Sequence, residues 1–411
     1  MPKNKSTLIL DVGAGSIKAG FHNEKEPRII DNCIFKAKNV SNKTYIGSEL
    51  NDCNNLSGMF LFLPFKKGYI NNWELEKQIL DYTMKEMFDK KNTTLEETNV
   101  IFTEPMFNFS STRETIQEIF FEEYQCNGLI LTSAPFLTDF KHRIRRKNEW
   151  SLIIDSGYSF TTFIPMHNGI PLYECVKRMT IGGKILTNRL IEVISYGQLD
   201  VRSEVYIMNQ CKEDTCYVST QFNKDLNIAK AKNKLDNTIK LQYILPDYVN
   251  TRRGYNAPKD KPTTSSDFTA PHEGNADQYS ININNERFVI PEILFHPSDV
   301  GYNEMGMVEA ISYILNELVP ENGKVDCYDN IVLSGGSCCF PGFKERLEMD
   351  LRACAPDDFP LTIYKDNNPR LSAWKGGYML ANNHEAMNKY LVSKREYNEY
   401  GIKYCEEKYP K

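Results

Sequence analysis

The sequence predicts an α/β fold of two lobes around a shared cleft, and two observations support this prediction. The chain has 411 residues, whereas a single hydrophobic core rarely organises more than roughly 300. One local pattern also occurs twice: three apolar residues followed by Asp, any residue and Gly occupy positions 8–13 and again positions 152–157. A motif that returns after a domain's length indicates a duplicated architecture.

Each copy of this pattern is followed by a second strand-like run, at residues 17–21 and 160–165. No helix-capping signal separates the two runs of either pair. A strand, a tight glycine turn and a returning strand predict a β-hairpin, not the strand-to-helix turn of a dinucleotide-binding fold. We therefore expect two matched hairpins, one in each lobe.

Helical periodicity lies between the two hairpins. Trp73, Leu80, Met84 and Met87 recur on one face at helical spacing, which predicts a helix over residues 73–88. A second helix is predicted over residues 110–124, with Ser110 as its N-cap.

A strand, a glycine loop and a helix are predicted near the C-terminal end. The apolar run at residues 331–333 ends in Ser334, Gly335 and Gly336. Residues 343–351 then carry an apolar side chain at every fourth position, which indicates a helix. This order of elements is typical of an α/β fold.

Composition excludes several classes of protein. The 49 Lys and Arg against 54 Asp and Glu give a formal charge of −5, which argues against a dedicated basic nucleic-acid binder. The N-terminal residues show no secretory signal, and no stretch reaches the roughly 18 apolar residues of a membrane span. The 11 cysteines form no CxxC pair, which predicts free thiols in a reducing compartment, either cytosol or nucleus.

Two polar stretches each allow two interpretations. Residues 141–147 are the most basic run of the chain and either contact DNA or an acidic partner, or form a solvated loop. Residues 256–280 contain no Ile, Leu, Val or Met and indicate a surface insertion. That insertion either folds against a partner or stays a plain loop.

The two predicted turns could together bind a phosphate chain. Glycine lets backbone N–H groups approach phosphates without a Cβ clash. The first turn supplies Gly13, Ala14, Gly15 and Ser16, and the second supplies Gly157, Tyr158 and Ser159. Asp11 and Asp155 would hold Mg²⁺ through water, and Lys18 would face the phosphates. The alternative interpretation is a pair of ordinary hairpins.

Five stretches in order along the chain resemble actins. Residues 11–21 and 152–165 are similar to the two actin phosphate loops, 331–343 to the adenosine loop, 371–377 to the closing helix, and 212–218 to a nucleotide-side helix. The resemblance implies the actin-like fold, a duplicated ribonuclease-H-like architecture with a nucleotide cleft that takes ATP or ADP with Mg²⁺. It adds further cofactor-binding residues: Gly183, Lys212, Glu213, Gly335, Gly336, Phe340 and Arg370. Phe340 would either stack on adenine or pack in the core.

The resemblance also implies a division of the chain. The first lobe would comprise residues 1–148 and 372–411, with a shortened tip at 33–61. The second lobe would comprise residues 149–371, with an outer subdomain at 182–302 and a polar insertion at 249–280.

Further stretches are similar to the sixth class of actin-related proteins, a nuclear subfamily: residues 103–109, 121–125, 155–160, 243–247 and 291–298. This similarity implies a subunit of a SWR/SRCAP-type remodeller, which exchanges a core histone for its Z-type variant in nucleosomes. The implied partners are a Swi/Snf-family remodeller ATPase, a zinc-HIT-type subunit, a nearby RuvB-like hexamer and the nucleosome. The implied location is the nucleus, with some protein in the cytoplasm.

The sequence departs from actins at positions that bear on mechanism. Ser133 and Thr162 stand where actins place the glutamine and histidine that orient the attacking water, so we expect nucleotide binding without appreciable hydrolysis. Ala14, Tyr158 and Ser159 change the phosphate turns. The shortened tip predicts that the chain does not polymerise by itself. Two rival interpretations are an ATP-hydrolysing enzyme of the sugar-kinase and chaperone superfamily and a filament-forming cytoskeletal actin.

Overall fold

A computed structural model describes residues 6–37, 44–52, 59–89, 91, 93–146, 148–233, 236–247, 251–258 and 279–410. Most of the predicted polar insertion, parts of the predicted lobe tip and the last residue of the basic run lie outside the described residues.

The strands are β1 (Thr7–Val12), β2 (Ser16–Phe21), β3 (Arg28–Asp31), β4 (Ile34–Ala37), β5 (Thr44–Ile46), β6 (Met59–Phe62), β7 (Phe65–Lys66), β8 (Tyr69–Ile70), β9 (Asn99–Glu104), β10 (Gly128–Ser133), β11 (Trp150–Ser156), β12 (Thr161–His167), β13 (Ile170–Pro171), β14 (Lys177–Met179), β15 (Leu241–Ile244), β16 (Tyr255–Asn256), β17 (Ser280–Ile283), β18 (Ile331–Ser334), β19 (Ile363–Lys365) and β20 (Val392–Ser393). The helices are α1 (Trp73–Phe88), α2 (Ser110–Glu118), α3 (Ala134–Arg146), α4 (Gly183–Gly197), α5 (Val205–Thr215), α6 (Phe222–Ala229), α7 (Glu286–Glu292), α8 (Met307–Tyr313), α9 (Glu321–Asp329), α10 (Phe343–Cys354), α11 (Ser372–Ala381), α12 (His384–Tyr390) and α13 (Lys394–Lys408).

The first large sheet has the strand order β20-β10-β9-β1-β2-β3. Its central strands β1 and β9 are buried along their whole length, as expected for strands covered on both faces. β1 and β2 pair antiparallel with Asp11 opposite Lys18, which confirms the first predicted hairpin. β1 and β9 pair in parallel.

The second large sheet has the order β13-β12-β11-β18-β19, with β14 added beside β12. β11 and β12 pair antiparallel, which confirms the second hairpin, and Asp155 lies opposite Thr162. On its other side β11 pairs in parallel with β18, so Asp155 is also level with Ser334. The predicted strand at 331–334 therefore lies next to the second hairpin.

The predicted helix over residues 73–88 is confirmed as α1, and Asn72 caps it by accepting a 3.1 Å bond from the Leu75 N–H. The prediction of Ser110 as a cap is wrong. Ser110 is already the first residue of α2, because the Arg113 N–H donates to the Phe109 carbonyl and so closes the first turn one residue earlier. Beyond α2, residues Ile119–Glu123 continue as a π-helical turn.

The basic run does not form a solvated loop, so that interpretation is wrong. Its described residues are the C-terminal half of α3, and Lys141 and His142 are buried there. The Lys141 ammonium forms an ion pair with Asp366, and the His142 ring is 3.3 Å from the Asn330 side chain. The buried face of α3 requires these partners, because an unpaired buried charge is costly.

Helices α3 and α11 cross at very short range. A Cβ built on Gly376 of α11 would lie 1.9 Å from the Leu137 carbonyl oxygen of α3, well inside van der Waals contact. In the next position, a Cβ on Gly377 would lie 2.7 Å from the Ile9 side chain of β1. The chain therefore returns to the first sheet through a crossing that only glycine permits.

Two further observations concern the described part of the chain. None of its cysteines forms a disulfide, and most are buried. No helix there is long and apolar enough to cross a bilayer.

We expect Gly376→Ala to lower the free energy of unfolding by about 3 kcal/mol, because the added methyl group forces α3 and α11 apart. Denaturant unfolding measures this change. Gly197→Ala is the matched control, since Gly197 is an exposed helical glycine with nothing within 4 Å of an added Cβ. An equal effect of the two substitutions would contradict the crossing argument.

Candidate functional site

A cavity of about 580 Å³ lies between the ends of the two large sheets. Every residue that the sequence singled out for cofactor binding lines it: Asp11, Gly13, Ala14, Gly15, Ser16, Lys18, Asp155, Gly157, Tyr158, Ser159, Gly183, Lys212, Glu213, Gly335, Gly336, Phe340 and Arg370. Its volume lies in the ordinary range of small-molecule sites.

The two hairpin turns present unpaired donors to this cavity. The Gly13 N–H bonds the Ser16 carbonyl at 3.2 Å, and the Gly157 N–H bonds the Phe160 carbonyl at 3.0 Å, so each turn is closed by its first residue. Within the described part of the chain, the backbone N–H groups of Ala14, Gly15, Tyr158 and Ser159 donate to no protein group. Free N–H groups in successive turn residues form an anion-binding concavity, and a phosphate chain fits these donors.

The first turn is held from behind by Asn32 and Glu76, which the sequence interpretation missed. Asn32 donates from its backbone to the Gly15 carbonyl at 3.2 Å and from its side chain to the Gly13 carbonyl at 3.1 Å. The same amide is 3.5 Å from the Glu76 carboxyl group. The available signal was an acidic residue one turn before Leu80 on the apolar face of α1.

Glu76 is fully buried, and among the described residues it has no cationic partner. Its Oε2 atom likewise accepts no hydrogen bond from any described group. Burial raises the pKa of this carboxyl group to about 8, and the Asn32 amide opposes the shift. Glu76 is therefore mostly neutral near pH 7, which is the form that a buried site tolerates.

Asp11 and Asp155 mark the ends of the central strands of the two sheets. The Lys18 ammonium is 3.2 Å from Asp11 Oδ2, and the Thr103 hydroxyl donates to Asp11 Oδ1 at 3.1 Å. Burial first, and then the negative charge of Asp11, raise the pKa of Asp155 to about 6, while Lys18 opposes the rise. A cation between the carboxylates would relieve this repulsion, so the pair fits Mg²⁺ bound together with phosphate oxygens.

The described residues hold no cluster of three or more His, Cys, Asp or Glu side chains able to ligate a metal ion. The two aspartates would therefore need phosphate or water oxygens to complete the coordination of a metal.

Lys212 lies in the last turn of α5, on the opposite wall of the cavity from the first turn. Its buried ammonium donates to the Gly183 carbonyl at 2.9 Å, the Thr187 hydroxyl at 2.8 Å and the Asn209 side-chain oxygen at 2.9 Å. All three acceptors are neutral, and burial lowers the pKa of Lys212 to about 8. The cavity wall thus contains a cation with no carboxylate bonded to it.

Arg370 joins the first turn to the same wall. Its guanidinium donates to the Ser16 hydroxyl at 3.1 Å and lies 3.9 Å from the Glu213 carboxylate.

The glycine loop after β18 completes the wall. Gly335 has a φ of +94°, and a Cβ there would lie 2.3 Å from the Ser156 carbonyl oxygen, so this turn requires glycine. Phe340 is 6% exposed and packs in the core of the second sheet while it borders the cavity. Core packing of Phe340 is thus confirmed, while stacking on adenine stays a prediction.

The two positions expected to lack a water-orienting side chain have different surroundings. Thr162 lines the cavity beside Asp155 and is buried. Ser133 does not line the cavity, and its hydroxyl accepts a 3.3 Å bond from the Phe136 N–H at the start of α3.

Contacts across the cavity mouth were also missed. The Tyr206 hydroxyl of α5 donates to Asp31 of β3 at 2.8 Å. Arg178 of β14 donates to the Tyr69 hydroxyl at 2.8 Å and to the Lys67 carbonyl at 2.6 Å. These partners are far apart in the sequence, so no local pattern connects them.

The fold and the cavity define a class of protein that sequence comparison identifies directly. A sequence profile described as Actin matches residues 3–410, and the chain belongs to the actin family. The predicted actin-like fold of two duplicated lobes is therefore confirmed.

Within the family, the chain is similar to proteins named actin-related protein 6. It is 34% identical to that of Drosophila melanogaster over 403 residues, which are 97% of this chain and 98% of the relative. It is 32% identical to that of Dictyostelium discoideum over 99% of this chain and 94% of the relative. It is 31% identical to that of Arabidopsis thaliana over 98% of this chain and 99% of the relative.

We expect Glu76→Gln to remove part of the pH dependence of folding. The folded-state pKa of about 8 lies above the usual 4.5, so the stability from neutral Glu76 is complete below pH 4.5 and lost as pH rises through 8. The variant should therefore gain melting temperature over the wild type at about pH 9 and much less at about pH 6.

Glu74→Gln is the matched control for this measurement, since Glu74 is exposed on the same helix. A gain of the same size for Glu76→Gln at both pH values would mean that Glu76 does not titrate in this range.

Proposed function

We propose that the chain is a non-catalytic actin-related subunit of a SWR/SRCAP-type chromatin-remodelling complex, which exchanges a core histone for its Z-type variant in nucleosomes. Membership of the actin family and similarity to proteins named actin-related protein 6 over nearly the whole chain support the proposal. The stretches at 103–109, 155–160 and 291–298, which resemble that nuclear class, support it further.

One observation favours binding without catalysis. The cavity contains free N–H donors, paired carboxylates and a buried ammonium group, which suit a nucleotide, but neither Ser133 nor Thr162 can orient a water for attack. Thr162 has only a short hydroxyl beside Asp155, and the Ser133 hydroxyl is bonded to α3. In-line attack requires a positioned water within hydrogen-bond reach.

The ligand would be ATP or ADP with Mg²⁺. Its phosphates would meet the N–H groups of the two turns and Lys18, and Asp11 and Asp155 would hold the metal ion through water. Bound Mg²⁺ neutralises phosphate charge. Lys212, Glu213, Phe340 and Arg370 would bind the nucleoside side.

Such a ligand would contact both lobes and hold them together. The first lobe would comprise residues 1–148 and 372–411, and the second would comprise residues 149–371. A ligand that binds only the folded form stabilises it by mass action. The bonds from Tyr206 to Asp31 and from Arg178 to Tyr69 close the same cleft from its mouth. The chain would then serve as a rigid bridge and not as a motor.

Within the complex, the chain would connect the Swi/Snf-family remodeller ATPase, a zinc-HIT-type subunit and the nucleosome, next to a RuvB-like hexamer, chiefly in the nucleus. It would not polymerise into filaments. The net charge of −5 favours contact with chromatin through partners over an extensive DNA surface of its own.

We expect the tagged chain to recover a remodeller ATPase, a zinc-HIT-type subunit and a RuvB-like protein from nuclear extract, as identified by mass spectrometry. The matched control is a conventional actin with the same tag, which should not recover the zinc-HIT-type subunit. Recovery of cytoskeletal proteins alone would contradict the proposal.

We expect the purified chain to release phosphate from Mg-ATP no faster than its Asp155→Ala variant. The reason is that neither Ser133 nor Thr162 is suited to orient the attacking water, so removing a metal-binding carboxylate would have no turnover to abolish. Steady-state phosphate release measures both proteins. Turnover in the wild type that disappears in Asp155→Ala would instead support the enzyme interpretation.

A further inference from the structure

The side chain of Tyr158 lines the cavity close to two glycines, Gly15 and Gly183. A Cβ built on Gly15 would be 3.0 Å from Tyr158 Cγ, and a Cβ built on Gly183 would be 3.4 Å from Tyr158 Cδ2. Gly15 belongs to the first turn, and Gly183 is the first residue of α4. The Tyr158 side chain therefore lies close to the backbone of both glycines, between the first turn and the start of α4.

The ring lies against a turn that presents free donors. The N–H groups of Ala14 and Gly15 bond no described protein group, and the Tyr158 ring packs directly against Gly15. A phosphate chain bound to these donors would compete with the ring for the space beside Gly15.

The backbone of Tyr158 cannot withdraw to make room. The Gly183 N–H donates to the Gly157 carbonyl at 3.0 Å, and the Lys184 N–H donates to the Tyr158 carbonyl at 2.8 Å. These bonds fix the second turn to the start of α4. The ring can leave only by rotation about its own side-chain bonds, between staggered rotamers.

No polar contact anchors the ring in this position. Within the described part of the chain, the Tyr158 hydroxyl has no hydrogen-bond partner. Burial, with the charges of Cys33 and Glu213 nearby, raises the pKa of this phenol to about 12, so it stays neutral. Packing alone holds the rotamer, and the ring is free to move when a ligand competes for the space.

We propose that Tyr158 is a side-chain gate that sets how tightly the cleft takes a nucleoside di- or triphosphate. While the ring lies between the turns, only a minor fraction of the molecules can bind nucleotide. The apparent affinity is the intrinsic affinity multiplied by that fraction. This inference rests on the proposed nucleotide-holding function and adds the residue that limits it.

The test is isothermal titration of Mg-ADP and Mg-ATP into the full chain, as wild type, Tyr158→Ala and Tyr158→Phe. We expect Tyr158→Ala to bind both nucleotides at least about tenfold more tightly, because the ring no longer competes. Tyr158→Phe is the matched control, since it keeps the ring and removes only the hydroxyl. Its affinity should stay close to that of the wild type. The melting temperature without nucleotide shows that each variant is folded.

Three outcomes would overturn the gate. Unchanged or weaker binding by Tyr158→Ala would mean that the ring does not compete with the nucleotide or that it supports it. Binding by Tyr158→Phe as tight as by Tyr158→Ala would assign the effect to the hydroxyl. If no folded variant binds nucleotide, the proposal that Tyr158 is a gate is wrong. If the same chain still recovers remodeller subunits, the proposed membership of the complex is unaffected.

Discussion

The structure depends on the convergence of two carboxylates, Asp11 and Asp155, at the ends of β1 and β11. Each lies near the end of a central strand and lines the cavity, and burial together with the negative charge of Asp11 raises the pKa of Asp155. Lys18 offsets part of this cost from the neighbouring strand. The arrangement is tolerable only where an open cavity and a cation can share the space, because buried like charges otherwise force a carboxylate to stay protonated. The two sheets therefore meet around a cavity and do not fuse into one core.

Helices α3 and α11 hold the two sheets in this arrangement. Helix α3 lies between them, and its buried Lys141 reaches Asp366 on the loop after β19. Helix α11 returns to the first sheet and crosses α3 where Gly376 allows backbone contact. A crossing this close leaves little room for sliding, since packed backbones transmit displacement directly. The packing of α3 against α11 and the hydrogen bonds of Tyr206 and Arg178 thus connect parts of the fold that are distant along the chain.

Two properties of the cavity oppose each other, and both are consistent with the proposed structural role. The turns offer free N–H donors to an anion, yet the Tyr158 ring occupies space between them. Under the proposed function, Ser133 and Thr162 would leave the bound nucleotide without a side chain suited to water activation. Such a site would hold a nucleotide without converting its hydrolysis into motion. Binding energy would then be used for closure of the cleft, consistent with a scaffold inside a larger assembly.

The sequence by itself determined the two hairpins, the helix over residues 73–88, and the strand and glycine loop at 331–336. Each follows from a local repeat of period two or near four, or from glycine at a turn, and such patterns survive without tertiary context. The cavity-lining residues Gly183, Lys212, Glu213, Phe340 and Arg370 were predicted only from the resemblance to actins. Only the tertiary structure decided which buried group meets which partner: Glu76 behind Asn32, Lys141 with Asp366 on a helix, and the Tyr158 ring against Gly15. These pairs join residues distant along the chain, or depend on a rotamer that the opposite wall selects. Local periodicity fixes which face of an element is buried, whereas packing fixes what that face contacts.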